Sequence, residues 1–322
     1  MTQESTQERP LVTFALFAYN QEKYIREAIE GAFAQTYEPL EIIISDDFST
    51  DRTFEIIKEM ERKYRGKHSL YIQQNKCNLG VSQHVNGVIG RAKGKYLVAS
   101  AGDDVSLPER TALTVEILEK SPEAKFCDTS YISIDKNGDV RLPSKSLSDV
   151  AMPINLRDLL TGHVKGLTGA TRTYCVDALM SYPTLNGDCP TEDSPSVLRC
   201  LLVGQGFYLP RPGIKRRLHD NNLSGKESLR KMNFEGIWKQ YEDDALHAYK
   251  NGYINRTSFG DVRLWIATVS YERSLLQKMN NAGVYFWGEL VSTLSSRSSP
   301  RIKLNKLLVL SKAFFRKNFN GK

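Results

Sequence analysis

The sequence predicts an α/β protein with a mostly parallel sheet, helices on both faces of that sheet, and a mostly helical C-terminal extension. Two observations predict this fold class. From residue 11 to about 135, short apolar runs of strand length alternate with segments of helical period, which is typical of a parallel sheet covered on both faces. Beyond about residue 225 the apolar residues recur at helical spacing, as in 264–280.

Five predicted strands and the helices between them follow in order along the first half of the chain. The first helix follows Asn20, a candidate N-cap, and the second follows Ser49 or Thr50. Ser106 and Glu109 predict a capping box for the fourth helix. After residue 142 the pattern is less regular and predicts only short fragments up to about 225. The strands are the apolar or β-branched runs 11–18, 40–45, 69–74, 95–101 and 125–134.

Polar residues directly follow each of the first four predicted strands. The carboxyl ends of parallel strands lie at one edge of a sheet, and ligands of such sheets bind outside that edge. We therefore predict the functional site there. The clusters are Tyr19-Asn20, Ser45-Asp46-Asp47, Asn75 to Ser82, and Gly102-Asp103-Asp104.

The adjacent carboxylates of Asp103 and Asp104 have two interpretations. Mg²⁺ and Mn²⁺ bind carboxylate oxygens, and they often take only one or two from the protein while substrate phosphates and waters fill the other positions. The pair thus predicts a divalent metal shared with a diphosphate. Alternatively, the two aspartates simply precede the fourth helix and interact favourably with its dipole.

The net charge of +7 comes from the C-terminal stretch alone. Residues 301–322 contain seven Lys and Arg and no Asp or Glu. Residues 1–300 are therefore formally neutral, and we predict no basic nucleic-acid-binding surface. Leu and Phe recur between these basic residues at helical spacing. This tail is predicted either to lie on an anionic membrane or to pack on the body of the protein or on a second subunit.

The cysteines and the N-terminal residues indicate the cellular compartment of the protein. The five cysteines show no C-x-x-C spacing, which favours reduced structural thiols over disulfides or a zinc site. The first ten residues show no signal pattern, and no run of 18 apolar residues predicts a spanning helix. We expect a cytoplasmic protein, either free or bound peripherally to the inner leaflet of the cell membrane.

Four stretches resemble, in order, the motifs of family 2 glycosyltransferases. The resemblance covers about residues 10–225 and implies the GT-A fold, which is Rossmann-like. It implies a nucleotide-binding half, 10–105, and an acceptor and catalytic half, 106–225, before a helical region, 226–322. The motifs are an aromatic-Asn turn, Q-T-Y and D-D-F-S-T-D within 16–53; N-x-G-x-x-x-x-x-N and the carboxylate loop within 78–104; E-D-x-x-x-x-x-R within 190–202; and R-x-H-x-x-N-x-S within 215–224.

The resemblance implies a nucleotide end of the donor site. Tyr19 and Asp47 match positions that hold the uracil of a UDP-sugar, with Asp47 accepting from the base N3–H, and Asn20 belongs to the same turn. Asn78 and Asn86 match positions on the nucleotide side. The chain departs from the family in having Phe17 where many members have a small residue or proline.

The resemblance also implies a phosphate end. Asp104 matches the metal carboxylate, and Asp103 matches the residue beside it that faces the sugar or ribose. His219 matches a position that approaches the metal or the diphosphate, and Arg217 or Arg216 is expected to neutralise the leaving phosphates by a bidentate contact. No third acid follows Asp104, so the chain departs here from the most familiar D-x-D form of the family.

Asp193 is the residue to which the resemblance assigns the general base. Inverting sugar transfer needs a carboxylate that takes the proton of the acceptor hydroxyl. Alternatively, Asp193 or Ser194 only caps the following helix, and the two roles are compatible. Glu192 is expected to orient the loop or the acceptor. His163, Lys165 and Thr168 are candidates for the acceptor wall.

The sequence thus predicts a glycosyltransferase of the hexosyltransferase type. It would move a sugar from a nucleotide donor, UDP-linked by preference, to a hydroxyl of a glycan or lipid-linked glycan, with inversion and with Mn²⁺ or Mg²⁺, in bacterial surface polysaccharide synthesis. The alternatives are a non-catalytic domain that binds nucleotide sugars or glycans, and a sugar nucleotidyltransferase. A hydride-transferring Rossmann enzyme is disfavoured because no G-x-G-x-x-G follows the first strand.

Overall fold

A computed structural model of the chain describes residues 8–142, 148–164, 169–220, 222–223, 225–281 and 307–308. Its centre is a ten-stranded sheet that predominates in the first two thirds of the chain. The strands are Val12–Ala18 (β1), Leu40–Asp46 (β2), Ser69–Gln74 (β3), Tyr96–Ala101 (β4), Val105–Ser106 (β5), Ala124–Ile134 (β6), Val140–Leu142 (β7), Met152–Ile154 (β8), Arg172–Cys175 (β9) and Gln205–Arg217 (β10).

The sheet has the order β3-β2-β1-β4-β9-β6-β10-β5, with β7 beside β6 and β8 beside β10. β1 pairs in parallel with β2 and β4, β2 pairs in parallel with β3, and β10 runs parallel to β6. The α/β class and its large sheet are confirmed. The sheet is mixed, because β9 lies antiparallel between β4 and β6, and β5, β7 and β8 also pair antiparallel with their neighbours.

Ten helices accompany the sheet within the described part of the chain. The first four connect the strands of the nucleotide-side half, as the apolar spacing predicts. The helices are Ile25–Phe33 (α1), Thr53–Lys63 (α2), Val81–Ile89 (α3), Arg110–Lys120 (α4), Leu156–Thr161 (α5), Val176–Met180 (α6), Asp193–Val203 (α7), Lys226–Lys231 (α8), Phe234–Lys250 (α9) and Arg256–Asn281 (α10).

The buried positions explain why the strands and helices form where they do. Phe14 and Leu16 of β1 and Ile42 and Ile44 of β2 are fully buried, and they pack against the apolar stripe of α1 that begins at Ile25. Strands buried on both faces need such continuous apolar runs. The core therefore sits directly beneath the edge at which these strands end.

The predicted helix caps were wrong. α1 begins after Tyr24 and α2 after Arg52, so neither Asn20 nor Ser49 nor Thr50 is an N-cap. The N-cap position of α4 is Glu109, and its side chain makes no capping hydrogen bond. The polar residues that look like caps serve the loops between strand and helix instead.

The C-terminal region packs on the sheet domain through helices. Leu198 and Leu202 of α7 join Tyr241 of α9 and Val262 and Ile266 of α10 in one buried cluster. No helix among the described residues has the length and apolar character needed to cross a membrane. Apart from 307–308, the tail 301–322 lies outside the described residues, and the domain limits stay predictions.

A buried ion pair links α7 to α9. Arg199 Nε and Nη2 donate to the two carboxylate oxygens of Asp244 at 2.9 and 2.8 Å. Gln240, one turn before Asp244, donates to the same carboxylate at 2.9 Å. A guanidinium and a carboxylate paired this way satisfy each other's charge, and removal of either leaves the other buried and unpaired.

Replacement of Arg199 by Met is expected to lower the free energy of unfolding by about 3–5 kcal/mol, because Asp244 stays buried without its cation. Denaturant titration measures this loss. Lys120→Met is the control: it breaks the exposed pair with Glu116 and should cost about 0.5 kcal/mol or less. Similar losses in the two variants would contradict the assignment.

Candidate active site

The loops after β1, β2, β3 and β4 start from one edge of the sheet. Main-chain hydrogen bonds join their first residues: Asp47 N–H donates to Ala18 at 2.9 Å, and Asn75 N–H donates to Asp46 at 2.9 Å. On the other side of β1, Gly102 N–H donates to Phe17 at 2.8 Å. The four predicted polar clusters therefore lie next to one another.

Asp47 holds the loop that follows β3. Its Oδ1 accepts from Asn75 Nδ2 at 2.7 Å and from Leu79 N–H at 2.9 Å, and its Oδ2 accepts from Gly80 N–H at 3.0 Å. Only 3% of the residue is exposed. A carboxylate has about four lone-pair positions, so these three donors leave one position, on Oδ2.

Two residues with positive φ shape the neighbouring turns. Asn20 has φ 52° and Phe48 has φ 64°, a region that is unusual for residues other than glycine and a genuine outlier for a bulky one. Asn20 N–H donates to Ser49 Oγ at 2.8 Å, and Asn20 Oδ1 accepts from Thr50 N–H at 2.8 Å. Asn20 thus joins the β1 loop to the β2 loop.

Three large apolar side chains are exposed on these loops. Tyr19, Phe48 and Leu79 are between 43% and 45% exposed. Each belongs to a different loop, and the hydrogen bonds of Asn20 and Asp47 tie these loops together. The edge therefore offers apolar surface beside a carboxylate with one acceptor position left.

The two predicted asparagines of the third loop and helix differ in their surroundings. Asn78 Oδ1 accepts from Gly80 N–H at 3.0 Å, in an exposed turn. Asn86 lies on α3 and exchanges both its amide groups with the backbone of Leu185, at 2.8 and 3.0 Å. A nucleotide-binding role for Asn86 would need these bonds to be replaced. The ring of Phe17 packs edge-to-face against His84 of α3.

The carboxylates after β4 meet the end of β10. Asp103 Oδ2 lies 2.9 Å from His219 Nε2 and accepts from Asn222 Nδ2 at 3.3 Å. Asp104 is buried, and its Oδ1 accepts from Arg217 N–H at 2.8 Å. Burial and then the Asp103 charge raise the pKa of Asp104 to about 7, against the opposing effect of that hydrogen bond.

Arg217 does not present its guanidinium to a phosphate in this arrangement. The residue is 1% exposed, and its Nη2 donates to Glu27 at 2.9 Å. The other donors reach the carbonyl oxygens of Asp103, Asp135 and Lys136 at 3.1 to 3.4 Å. This geometry disagrees with the direct diphosphate contact that we predict for Arg217, because its donors already hold the protein's own oxygens.

The residues present fit a divalent cation. Asp103, Asp104 and His219 supply carboxylate oxygens and an imidazole nitrogen, which Mg²⁺ and Mn²⁺ accept as ligands. Within the described residues, no group of three or more His, Cys, Asp or Glu side chains is arranged to hold a metal ion. A cation here would therefore need further ligands from substrate phosphates and water.

The second predicted carboxylate pair lies at the start of α7. Asp193 Oδ1 accepts from Thr191 Oγ1 and from Ser194 N–H, both at 2.6 Å. A Cβ on Gly169 would lie 2.9 Å from Asp193 Cβ and 3.1 Å from Oδ2, so the carboxylate fits only because position 169 has no side chain. Burial and then the Asp193 charge raise the pKa of Glu192 to about 7.

The candidate acceptor wall is described only in part. His163 Nδ1 lies 2.7 Å from Thr161 Oγ1 at the end of α5. Lys165 and Thr168 lie outside the described residues, so their part in this wall stays a prediction.

The family model of glycosyl transferase family 2 matches residues 13–182, more than half of the chain. The chain belongs to glycosyl transferase family 2. Among its relatives, the putative glycosyltransferase EpsE of Bacillus subtilis is 33% identical over 129 residues, which cover 40% of this chain and 46% of EpsE. The chain spans about a third to a half of the length of several curated relatives that it matches.

Two solved structures show that this family 2 chain has the predicted GT-A-type fold. The structure of Staphylococcus aureus TarS 1–349 in complex with UDP has a TM-score of 0.65 at 13% identity, and the match covers 96% of this chain and 92% of that one. The mannosyltransferase PcManGT of Pyrobaculum calidifontis, in complex with GDP-Man and Mn²⁺, has a TM-score of 0.55 at 14% identity, covering 98% and 89%.

Some site residues of this family 2 chain escaped sequence reasoning. Asn222 bridges Asp103 and Arg217 O, and its only signal is its place in the R-x-H-x-x-N-x-S motif. Asn75 donates to Asp47, and Thr191 donates to Asp193. Both donors lie among turn residues, and nothing in their spacing predicts these contacts. Gly169 carried no signal, because its importance depends on a side chain 24 positions away.

Phe48→Gly is expected to make the protein more stable than Phe48→Ala by about 1 kcal/mol, because glycine adopts positive φ without steric cost while alanine keeps the penalty. Thermal unfolding of the two variants measures the difference. Both lack the aromatic ring, so the comparison isolates the backbone. Equal stability of the two would contradict a left-handed conformation at position 48.

Proposed function

We propose that this protein transfers a sugar from a UDP-sugar to a hydroxyl group of a glycan acceptor, with inversion at the anomeric carbon. The observation that carries the proposal is the single edge at which the ends of β1 to β4 place Tyr19, Asp47 and the Asp103-Asp104 pair. Membership of glycosyl transferase family 2 supports the same reaction class. TarS was solved with UDP and PcManGT with GDP-Man, so the base must be argued from this chain.

The acceptor capacity of Asp47 favours uracil over guanine. One lone-pair position on Oδ2 matches the single N3–H donor of uracil, whereas guanine presents two adjacent donors, N1–H and N2–H. A second donor without an acceptor in a dry site costs about 1–3 kcal/mol. The exposed rings of Tyr19 and Phe48 supply the apolar contact that a flat base needs.

At the phosphate end, Asp104 and His219 would hold Mg²⁺ or Mn²⁺, with Asp103 beside them. Such a cation supplies charge neutralisation for the departing UDP. Arg217 serves this end by positioning, because it fixes the backbone of Asp103 and donates its own N–H to Asp104. Arg216, whose guanidinium lies over the ring of Tyr131, is the arginine that we propose for the leaving phosphates.

At the acceptor end, Asp193 would take the proton of the attacking hydroxyl. Its Oδ1 accepts from Thr191 and Ser194, and its Oδ2 lies beside Gly169, 3.1 Å from where a Cβ at that position would be. A carboxylate held by two hydrogen bonds at a helix start is oriented before the acceptor arrives, which favours a general base. Glu192, whose pKa is raised to about 7, would orient the acceptor.

Calorimetric titration with UDP and GDP tests the donor site. We expect UDP to bind at least about 10-fold more tightly than GDP, because guanine leaves one donor unsatisfied at Asp47. Mn²⁺ should strengthen UDP binding to the native protein and to Asp177→Asn, an exposed control, and should have no effect on Asp104→Asn.

Two results would count against these assignments. GDP binding as tight as UDP would remove the uracil assignment, and Mn²⁺ dependence that persists in Asp104→Asn would remove the metal assignment. Released UDP in a mixture of UDP-sugars and glycan acceptors separates a transferase from a domain that only binds donors.

The basic, Leu- and Phe-containing tail 301–322 supports a finer proposal, that the enzyme works at the inner leaflet on lipid-linked glycans of a bacterial surface polysaccharide. The full chain should bind vesicles containing anionic phosphatidylglycerol, and a chain without 301–322 should lose most of this binding. Vesicles of neutral phosphatidylcholine are the control. Unchanged binding after deletion would assign the tail to packing or to oligomer contacts.

A further inference from the structure

We infer that the buried ion pair of Arg172 and Asp128 is the positioning device for the proposed base, Asp193. The inference rests on the proposed function, since it assigns support to a residue whose catalytic role is proposed above. Arg172 donates to the main-chain oxygen of Asp193 and not to its carboxylate. We therefore assign Arg172 a positioning role, which it exerts through Asp193.

The pair lies where two antiparallel strands are in register. Arg172 of β9 is directly opposite Asp128 of β6, and Arg172 Nε donates to Asp128 Oδ2 at 3.4 Å. The two residues are 3% and 0% exposed. Thr171 Oγ1 donates to the other carboxylate oxygen of Asp128. A buried charge pair of this kind is weak evidence for stability, which leaves room for a second purpose.

The guanidinium reaches from the sheet to the first turn of α7. Arg172 Nη1 donates to the main-chain oxygen of Asp193 at 2.9 Å and to Tyr174 Oη at 3.3 Å. It therefore fixes the residue whose Oδ1 is already held by Thr191. Hydrogen bonds thus hold the proposed base at both its backbone and its side chain.

Arg172 is itself held by a second buried arginine, Arg110. Arg110 of α4 is fully buried, and its Nη2 donates to the main-chain oxygens of Arg172 at 3.3 Å and of Ala99 at 2.7 Å. Ala99 belongs to β4, the strand that precedes the loop of Asp103 and Asp104. A continuous set of hydrogen bonds thus joins the strand before that loop to the helix that carries the proposed base.

Charges around Asp193 give the pair an electrostatic effect as well. The titratable groups near it are Glu192 on its own helix, Arg172 and Tyr174 on β9, Asp128 on β6 and Tyr241 on α9. Arg172 is the cation of this set, and a nearby cation favours the charged carboxylate. Burial and the Asp193 charge raise the pKa of Glu192, and the Arg172 charge lowers it. Loss of the cation should therefore shift the acidic limb of the activity profile, which reports the Glu192–Asp193 pair as a unit, to higher pH.

The test compares two double variants that remove equally buried Arg–Asp pairs. D128N/R172Q removes the proposed device and keeps hydrogen-bonding groups in place. R199Q/D244N is the matched control, because Arg199 lies on the same helix, is 4% exposed and pairs with Asp244 without contacting Asp193. Thermal unfolding, UDP binding and the pH profile of kcat for UDP release are measured for both.

We expect D128N/R172Q to bind UDP like the native protein and to lose about 10- to 100-fold in kcat. R172Q, which removes the cation alone, should also shift the acidic limb to higher pH. The control should lose a similar amount of thermal stability without a shift of the limb. R172K, which keeps the charge, should keep the limb near its native pH while losing kcat. A kcat in D128N/R172Q no lower than in the control, or a limb that stays in place in a folded R172Q variant, overturns the inference.

Asp193→Asn separates this outcome from failure of the proposed function. Loss of UDP release with intact UDP binding in D193N supports Asp193 as the base, and the pair is then judged by kcat and by the limb. UDP release by D193N at the native rate would refute the base itself. If D128N/R172Q does not fold, R172K and R172Q in the native Asp128 background still give the limb, and an unshifted limb in a folded R172Q variant also overturns the inference.

Discussion

The parallel pairing of β1 with β2 on one side and with β4 on the other is the constraint on which the site depends. It aligns Ala18 with Asp46 and Phe17 with Ala101, so that the residues that follow these strands emerge together. Backbone groups at such an edge lack a next strand partner and need side-chain partners, and polar residues provide them. The carboxylates of Asp47 and Asp103 therefore shape the loops as well as the chemistry.

Buried arginines connect the segments that form this edge of the sheet through hydrogen bonds. A guanidinium removed from water needs its donors satisfied, so each buried arginine must collect oxygens from several segments. Arg217 collects them from α1, from the β4 loop and from the turn after β6. Arg110 joins β4 to β9. Segments far apart in sequence are thereby fixed to one another near the proposed centre of the reaction.

Sequence reasoning found what is encoded locally. The runs at 40–45 and 95–101 are continuous and β-branched or apolar, and the polar residues that follow them need no partner to be recognised. β9 was not foreseen because its four residues include a buried arginine whose partner, Asp128, lies 44 positions earlier. The partners of Arg217 were not foreseen for the same reason, since Glu27, to which its Nη2 donates, lies 190 positions away in the sequence. The predicted caps at Asn20 and Ser106 failed because these residues are engaged elsewhere: Asn20 Oδ1 accepts from Thr50 N–H, and Ser106 lies in β5.

The hydrogen bonds of α3 to the segment after α6 have a consequence for dissecting the chain. Asn86 is bonded to Leu185, and Ser82 Oγ donates to the main-chain oxygen of Cys189 at 2.6 Å. A fragment that ended at residue 182, where the family match ends, would lose both anchors and would also strip β10 from β6, with which it pairs over most of its length. An uncovered strand of that length invites association between chains. Exchange of the segment up to residue 182 between relatives would therefore succeed only if β10 travelled with it.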